Sequence, residues 1–311
     1  MKKLTVDRYA EQYYDPSTVS DALVDLYESE QSDFLLPKRK RVSHKYSYGR
    51  ALVIAGSRDF PGAPVLAANA CERSGAGLTR LMVPESIYTV AAIRCDGAVV
   101  TPLPATKEGG ISSDALPQIL EQLKKAQACL IGPGLGTGAD SKALVRAVLR
   151  RTECPLVMDA DALSVCAGEP EMLSACRAPL ILTPHEGEFK HLGGNLTRGR
   201  LSGALRFAED HSKLILILKG YGTLVCRRSR ITVNPTGGPA MAKGGSGDVL
   251  GGCLCALLAQ GFDPWLAACC AVWLHGCAGD LATEALGEYS LTPSDLIRYL
   301  PEAFRKITET R

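Results

Sequence analysis

The sequence lacks the features that identify several large classes of protein. Its 311 residues carry a formal net charge of only +2, so the charge balance gives no reason to expect binding to nucleic acid or to a membrane surface. The first ten residues, Met1–Ala10, are charged and contain no apolar stretch of the kind that a secretory signal requires. We therefore expect a cytoplasmic protein with neither a nucleic acid nor a membrane as its partner.

The spacings that bind structural metals or form redox pairs are also missing, although the chain has twelve cysteines. None of them forms a CxxC pair: Cys253 and Cys255 are two positions apart, and Cys269 and Cys270 are adjacent. No histidine or cysteine lies at the spacing of a zinc site. Because these thiols lie in apolar segments, we expect them to be reduced and buried.

An apolar run over residues 249–277 raises the question of a membrane span. The segment 260–264, with the sequence QGFDP, divides this run. Each part is shorter than the roughly 20 residues that a spanning helix needs. We expect two buried core helices instead.

Short apolar segments alternate with helical segments along the chain, which is typical of an α/β protein with a mostly parallel sheet covered on both faces. The predicted strands are 51–55, 78–83, 128–131, 156–158, 180–182, 214–218 and 223–233. No internal repeat or linker divides the sequence. We therefore predict one domain, residues 35–311, preceded by an N-terminal extension, residues 1–34, in which 19–28 is expected to form a short amphipathic helix.

Polar side chains follow three successive predicted strands, at the edge where open parallel sheets bind ligands. Asp159 and Asp161 follow the first of these strands, and they could hold water or Mg²⁺, or Asp161 could cap the next helix. His185 follows the second strand, and this position favours a role in binding. His275 lies inside an apolar helix, where we expect a core or interface histidine with its hydrogen bonds satisfied.

Two glycine-rich loops lie at the same edge. The loop GPGLG, residues 132–136, is not a GxGxxG fingerprint and lacks the acidic partner of a dinucleotide fold, so it is either a turn that approaches a ligand or a structural turn. The loop KGYGT, residues 219–223, joins two predicted strands. Its lysine and threonine could reach phosphate or ribose oxygens, and the alternative is a simple hairpin turn.

The most informative stretch is NPTGGPAMAKGGSGDVLGG, residues 234–252, which connects a predicted strand to an apolar helix expected from Val249. Its glycines permit positive φ angles and close approach to a ligand. The unpaired N–H groups and partial positive charge of a helix start bind phosphate. A carboxylate beside a phosphate, here Asp248, is useful if it takes a proton from a hydroxyl group that attacks phosphorus. The alternative is a flexible linker with an Asp cap.

These motifs together resemble the ADP/ATP-dependent NAD(P)H-hydrate dehydratase family of the ribokinase-like superfamily. The resemblance extends over roughly residues 35–308 and also includes LP-x-R at 36–39, SHK at 43–45, IAGS at 54–57, DADAL at 159–163 and LTPHEGEF at 182–189. It implies a three-layer α/β/α sandwich. It also implies that NADH hydrate or NADPH hydrate is phosphorylated at the C6 hydroxyl by ADP or ATP with Mg²⁺, after which phosphate is eliminated. A homotetramer is expected as well.

The resemblance also implies roles for individual residues. The implied catalytic residues are Asp248, as the base, and the backbone amides of Gly245, Ser246 and Gly247, as an anion hole. The implied hydrate-binding residues are Ala63, Gly134, His185 and Asp248. The implied nucleotide-binding residues are Lys219, Gly220, Tyr221, Gly222, Thr223, Asn234 and Gly247. The resemblance does not identify the metal ligands.

Two other functions fit parts of the pattern. A related ribokinase-like kinase, acting on a sugar or a vitamin-precursor hydroxyl, would share the glycine–aspartate loop but not the contexts of His185 and Lys219 together. A nucleotide-binding regulator without catalysis is the second alternative. The presence of Asp248 argues against it.

Overall fold

A mixed β-sheet forms the middle of the protein, in a computed structural model that describes residues 1–34, 36–169 and 171–308. Leu35, Pro170 and residues 309–311, which belong to the predicted domain, lie outside the described residues. In chain order the strands are β1 (Lys2–Lys3), β2 (Asp25–Glu28), β3 (Arg50–Ile54), β4 (Leu78–Pro84), β5 (Val99–Leu103), β6 (Ala128–Ile131), β7 (Leu156–Met158), β8 (Leu180–Leu182), β9 (Leu214–Leu218), β10 (Leu224–Arg227) and β11 (Arg230–Val233).

Helices cover both faces of this sheet. They are α1 (Val6–Tyr13), α2 (Gly62–Arg73), α3 (Tyr88–Arg94), α4 (Leu116–Leu123), α5 (Ala139–Arg151), α6 (Asp161–Ser164), α7 (Glu171–Ser174), α8 (Glu186–His191), α9 (Arg200–Asp210), α10 (Ser246–Ala259), α11 (Pro264–Leu286) and α12 (Pro293–Thr308).

The strand order is β1-β2-β11-β10-β9-β8-β7-β6-β3-β4-β5. Neighbours from β9 to β5 are parallel, as the alternation of strands and helices predicts. The antiparallel pairs are β10 with β9, β10 with β11, and β1 with β2. The carboxyl ends of the parallel strands therefore meet at one edge, called here the carboxyl edge.

Side chains of successive strand residues enter two separate hydrophobic cores. Val53 and Leu130 belong to the core that α2, α10, α11 and α12 cover. Leu52 and Ile131, their neighbours along the same strands, belong to the core under α4, α5 and α9. Both faces of the sheet are buried, so the predicted three-layer α/β/α architecture is confirmed.

Helix α10 is enclosed by the protein from Val249 to Ala259. A helix that is apolar on all sides is an interior helix. Gly252 allows it to lie directly against α2, because a Cβ atom at this position would be 2.1 Å from the carbonyl oxygen of Ala67. This close packing fixes the position of the first turn of α10 at the carboxyl edge.

The N-terminal segment differs from the prediction. Residues 19–28 do not form an amphipathic helix: a 3₁₀ turn, Asp21–Leu23, is followed by β2. Strand β2 pairs in parallel with β11, and its Leu26 is buried. Pairing with the edge of a sheet overrides the local helical pattern. The segment 1–34, predicted to be an extension, thus contributes β1, α1 and β2 to the fold.

The predicted single strand 223–233 is also wrong. It is a hairpin of two antiparallel strands, β10 and β11, with Arg228 at its tip in a left-handed conformation (φ 55°). The turn Arg227–Ser229 contains neither glycine nor proline, the residues that normally reveal a turn in a sequence. Periodicity alone could not locate it.

The break between the two apolar helices is confirmed, since α10 ends at Ala259 and α11 begins at Pro264. Helix α11 extends beyond the apolar run, to Leu286. With 23 residues, this helix is long and apolar enough to cross a membrane. However, 72% of its most apolar 18-residue stretch is buried inside the protein. Core helices pass the same test of length and composition.

The cysteines behave as predicted. All twelve are free thiols; eleven are buried, and Cys95 is partly buried.

Replacing Gly252 with alanine tests the close contact between α10 and α2. The added methyl group would collide with the backbone of α2, so we expect the free energy of unfolding to fall by about 2–3 kcal/mol. Urea denaturation measures this change. Gly138→Ala is the matched control, because a Cβ atom there meets no atom within 4 Å. Equal stability of both variants would contradict the packing described here.

Candidate active site

The loop 234–245 crosses the carboxyl edge and ends at the N-terminus of α10. Gly245 adopts a left-handed conformation (φ 99°) as the N-cap, and the helix begins at Ser246, before the apolar stretch that starts at Val249. Asp248 therefore lies on the first helical turn, as predicted. The hydroxyl of Ser246 donates a hydrogen bond to the carbonyl of Met241 (2.8 Å) and holds the loop against the helix.

The amides at this helix start are not equally free. The N–H of Ser246 donates to the carbonyl of Lys243 over 3.3 Å. Within the described part of the chain, the N–H groups of Gly245, Gly247 and Asp248 have no partner. Of the three amides predicted to form an anion hole, those of Gly245 and Gly247 are available for this role, and the amide of Asp248 adds a third unpaired donor.

A buried ion pair lies beside this helix start. Asp159, at the end of β7, is 1% exposed, and its Oδ1 lies 2.8 Å from Nζ of Lys219, at the end of β9. Oε2 of Glu188 is 3.8 Å from the same nitrogen. A Cβ atom on Gly247 would lie 3.2 Å from that nitrogen, so the absence of a side chain there lets α10 approach the pair.

This environment changes the ionisation of Asp248. Burial, reinforced by the negative charge of Asp159, raises the pKa of Asp248 to about 7, although Lys219 opposes the change. Burial alone would lower the pKa of Lys219, but the carboxylates of Asp159 and Glu188 outweigh it and raise that pKa. Asp248 itself makes no hydrogen bond or ion pair among the described residues. Its carboxyl group is therefore available to exchange a proton near neutral pH.

A cavity of about 500 Å³ opens next to this cluster, between the 219–223 loop, the 234–242 loop, α10 and α11. Its lining residues are Lys219, Gly220, Tyr221, Gly222, Thr223, Asn234, Thr236, Gly237, Gly238, Pro239, Met241, Ala242, Ser246, Gly247, Leu250, Val272, His275 and Gly276. The structure thus brings all the residues predicted to bind the nucleotide to one cavity.

Some of these residues shape the cavity through contacts of their own. Asn234 is buried, and its Nδ2 donates to the carbonyl of Thr236 (2.9 Å) while its Oδ1 accepts from the hydroxyl of Thr236 (3.1 Å). The hydroxyl of Thr223 donates to the carbonyl of Gly220 (2.9 Å) and closes the 219–223 turn. This loop is therefore both the turn of the β9–β10 hairpin and a wall of the cavity.

His275 contradicts the prediction of a core or interface histidine with all its hydrogen bonds satisfied. It lines the cavity, and its Nε2 has no hydrogen-bond partner in the described structure. Burial lowers the pKa of His275 to about 4, so the ring is neutral. Sequence reasoning could not assign it to the cavity, because α11 is apolar on nearly all sides and its period identifies no ligand-facing side.

The residues predicted to bind the hydrate lie outside that cavity. Gly134 (φ 60°) is next to Ala63, because a Cβ atom on the glycine would be 3.2 Å from the Cβ atom of Ala63. The ring of His185 is largely exposed and caps α8, with Nδ1 accepting from the N–H groups of Gly187 and Glu188. Through Glu188, His185 is linked to Lys219.

The two aspartates after β7 have different partners. Oδ2 of Asp161 accepts a hydrogen bond from the N–H of Gly136 (2.8 Å), so this carboxylate fixes the 132–136 loop from the first turn of α6. Asp159 forms the ion pair with Lys219. Gly132 is required beneath it, because a Cβ atom there would be 1.9 Å from the carbonyl oxygen of Asp159.

The side chains near the helix start can be compared with the ligands that Mg²⁺ requires. Across residues 1–34, 36–169 and 171–308, no group of three or more His, Cys, Asp or Glu side chains is arranged to hold a metal ion. Asp159 and Asp161 are engaged as described. These described residues form no complete metal cage, but Mg²⁺ characteristically binds through one or two carboxylates, waters and substrate phosphates. The residues present fit an ion that arrives with a nucleotide.

The sheet order and the helical layers define a ribokinase-like α/β protein. One solved neighbour is a ribokinase-like protein from Enterococcus faecalis, with a TM-score of 0.80 and 26% identity, covering 91% of this chain and 97% of that one. Another is the ADP/ATP-dependent NAD(P)H-hydrate dehydratase of Bacillus subtilis, co-crystallised with ATP/Mg²⁺. It has a TM-score of 0.78 and 30% identity and covers 90% of this chain and 98% of that one.

Sequence comparison defines the family. A family model described as NAD(P)H-hydrate dehydratase matches residues 51–302, and the chain belongs to this family. The bifunctional NAD(P)H-hydrate repair enzyme Nnr of Moorella thermoacetica is 38% identical over 279 residues, which are 88% of this chain and 52% of that protein. The chain thus spans about half the length of the curated relatives that it matches.

The electrostatic description of the site predicts the titration of Asp248. In protein labelled with ¹³C at the aspartate carboxyl groups, the signal of Asp248 should titrate near pH 7. Asp159→Asn removes the repelling charge and leaves Lys219 less neutralised, so the pKa of Asp248 should fall toward the ordinary range of an aspartate. Asp210→Asn, an exposed change at the end of α9, is the control. An unchanged titration in Asp159→Asn would refute the proposed coupling.

Proposed function

We propose that this chain dehydrates hydrated NADH and NADPH with consumption of ADP or ATP, and so regenerates the reduced cofactors. The observation that carries the proposal is the position of Asp248. This carboxyl group has a pKa near 7 and lies at a helix start with unpaired amides, beside a cavity large enough for a nucleotide. Membership of the NAD(P)H-hydrate dehydratase family supports it, as does the similarity to the ADP/ATP-dependent NAD(P)H-hydrate dehydratase of Bacillus subtilis.

The chemistry begins with phosphoryl transfer. The nucleotide lies in the cavity with its terminal phosphate at the N-terminus of α10, where the amides of Gly245 and Gly247 and the ammonium of Lys219 stabilise its charge. Asp248 accepts the proton of the C6 hydroxyl group. The hydroxyl oxygen then attacks the terminal phosphorus, forming a new P–O bond while the bond to the departing ADP or AMP breaks.

Elimination follows from the chemistry of the substrate. The ring nitrogen next to C6 supplies an electron pair, the C6–O bond breaks, and inorganic phosphate leaves with the hydroxyl oxygen. Loss of a proton from C5 restores the ring double bond of NADH or NADPH. The protein therefore contributes positioning, a base and charge stabilisation, while phosphorylation converts a poor leaving group into a good one.

We also propose that Mg²⁺ accompanies the nucleotide. The relative from Bacillus subtilis was co-crystallised with ATP/Mg²⁺. Asp159 is the carboxylate here that lies near the helix start and could bind such an ion in exchange for part of its contact with Lys219. When bound, the ion would neutralise phosphate charge and orient the chain of phosphates.

The resemblance to the family further leads us to propose a cytoplasmic homotetramer. Sedimentation velocity of the purified chain tests this assembly: a single species of four times the chain mass of 33.1 kDa is expected.

Asp248→Asn tests the role of the base. We expect kcat to fall by about 10²–10⁴, because general-base catalysis is lost while the amides and the cavity remain. The assay follows the return of reduced-nicotinamide absorbance from hydrated NADH with ADP or ATP and Mg²⁺. Asp210→Asn should keep wild-type activity. Full activity of Asp248→Asn would exclude this residue as the base. If the wild-type chain instead phosphorylates a sugar or a vitamin precursor and does not act on the hydrate, it is a small-molecule kinase.

The pH dependence of the reaction should report the same group. Asp248 acts only when it is deprotonated, so kcat/KM for the hydrate should rise as the pH increases through about 7 and fall in acid. Activity that is constant between pH 5 and pH 8 is the outcome that contradicts this assignment. Stopped assays over that range, with the stability of the hydrate measured separately at each pH, provide the measurement.

A further inference from the structure

The N-terminal segment 1–34 lies before the region that the family model matches, yet it reaches the nucleotide side of the protein. Asp15 is buried, and its carboxylate accepts hydrogen bonds from the N–H groups of Arg200 (3.1 Å) and Leu201 (2.9 Å), the first two residues of α9. Ser17 accepts a third, from Ser202 (3.0 Å). A residue 185 positions earlier in the chain thus caps this helix.

Helix α9 needs this cap because its own N-cap residue is a glycine. Gly199 has no side chain to offer, and a Cβ atom there would lie 2.1 Å from Oδ1 of Asp15. The remaining donors to the same carboxylate are the hydroxyl groups of Tyr9 (2.8 Å) and Ser17 (2.7 Å) and the N–H of Ser17. Within the described residues, the Asp15 carboxylate therefore accepts five hydrogen bonds.

The first residue of the capped helix holds the 219–223 loop. The guanidinium group of Arg200 donates to the carbonyls of Leu218 (3.2 Å) and Lys219 (3.3 Å), and also to the carbonyl of Tyr221. Gly220 is required beside it, because a Cβ atom there would be 2.8 Å from Nη2 of Arg200. The backbone direction at the start of this loop is therefore set by α9 and, through it, by Asp15.

A second contact from the same segment supports the other side of the loop. The buried ring of Tyr13 lies under Gly222, where a Cβ atom would be 2.3 Å from the ring. Its centroid is 5.5 Å from that of Tyr221, which lines the cavity. The hydroxyl group of Tyr13 donates to Oε2 of Glu28 (2.9 Å), which fixes the ring from β2.

We infer that segment 1–34 is a positioning element of the nucleotide site, with Asp15 and Tyr13 holding the 219–223 loop in the conformation that receives ADP or ATP. The identity of the ligand rests on the proposed function. Two glycines make this loop flexible. Without support from the N-terminal segment, the free-energy cost of ordering the loop would weaken nucleotide binding. Neither Asp15 nor Tyr13 lines the cavity, and both act through the loop.

The experiment compares Tyr13→Leu with Tyr14→Ala in the full chain. Tyr14 follows in sequence but is 87% exposed, so its change should leave binding unaltered. Tyr13→Leu keeps an apolar side chain but removes the supporting ring, so the loop spends less time in its binding conformation and the Kd should rise about tenfold. Calorimetric titration with ADP and with ATP, without hydrate, measures this Kd.

A comparison of the KM values for the two substrates distinguishes a positioning role from a general loss of stability. In turnover assays Tyr13→Leu should raise the KM for the nucleotide and leave the KM for the hydrate unchanged. Asp15→Asn, which places an amide N–H among donors, should show the same split. Unchanged nucleotide affinity in both variants overturns the inference. An equal rise in the KM for both substrates also overturns it, as does loss of the cooperative unfolding transition. Either result would show that the two residues serve general stability.

The same titrations distinguish this inference from the proposed function. If the wild-type chain binds neither ADP nor ATP, both proposals fail. If the wild type binds a nucleotide and the variants bind it equally well, only the role of the N-terminal segment fails.

Discussion

The site depends on keeping a carboxyl group, Asp248, partly buried beside an ion pair that does not neutralise it. Asp159 and Lys219 largely satisfy one another, so the nearby carboxyl group is subject to burial and to the charge of Asp159 more than to the attraction of the lysine. Its pKa near 7 follows from that balance. A direct salt bridge from Lys219 to Asp248 would hold the group ionised but make it a weak base.

The fold supplies this arrangement through close backbone contacts. Asp159 and Lys219 end two strands of the sheet, while Asp248 begins a helix on one face of it. Glycines at 247 and 252 let that helix approach the ion pair and α2, where any side chain would collide or intervene. A strand edge thus provides charge, and a helix start provides unpaired amides. Phosphoryl chemistry needs both at one place.

Much of the fold and of the site can be predicted from the sequence, and the predictions that are wrong have physical causes. Strands 128–131, 156–158, 180–182 and 214–218 were located to the residue, because each is a short apolar run bounded by polar or turn residues. The residues predicted to bind the nucleotide share one cavity because 219–223 follow β9, Asn234 follows β11, and Gly247 lies at the start of α10. The 19–28 segment, the cavity-facing His275 and the cap from Asp15 depend on contacts between distant parts of the chain, which no local pattern records.

Transfer of an isotope label tests most directly whether phosphorus is attacked by the substrate hydroxyl group at this site. Hydrated NADH carrying ¹⁸O in its C6 hydroxyl group would be converted with unlabelled ADP or ATP, and the released inorganic phosphate analysed by mass spectrometry. Phosphorylation before elimination predicts one ¹⁸O atom in each phosphate for each NADH formed. Unlabelled phosphate, with the ¹⁸O in water, would show that the hydroxyl group leaves without being phosphorylated and would contradict the account.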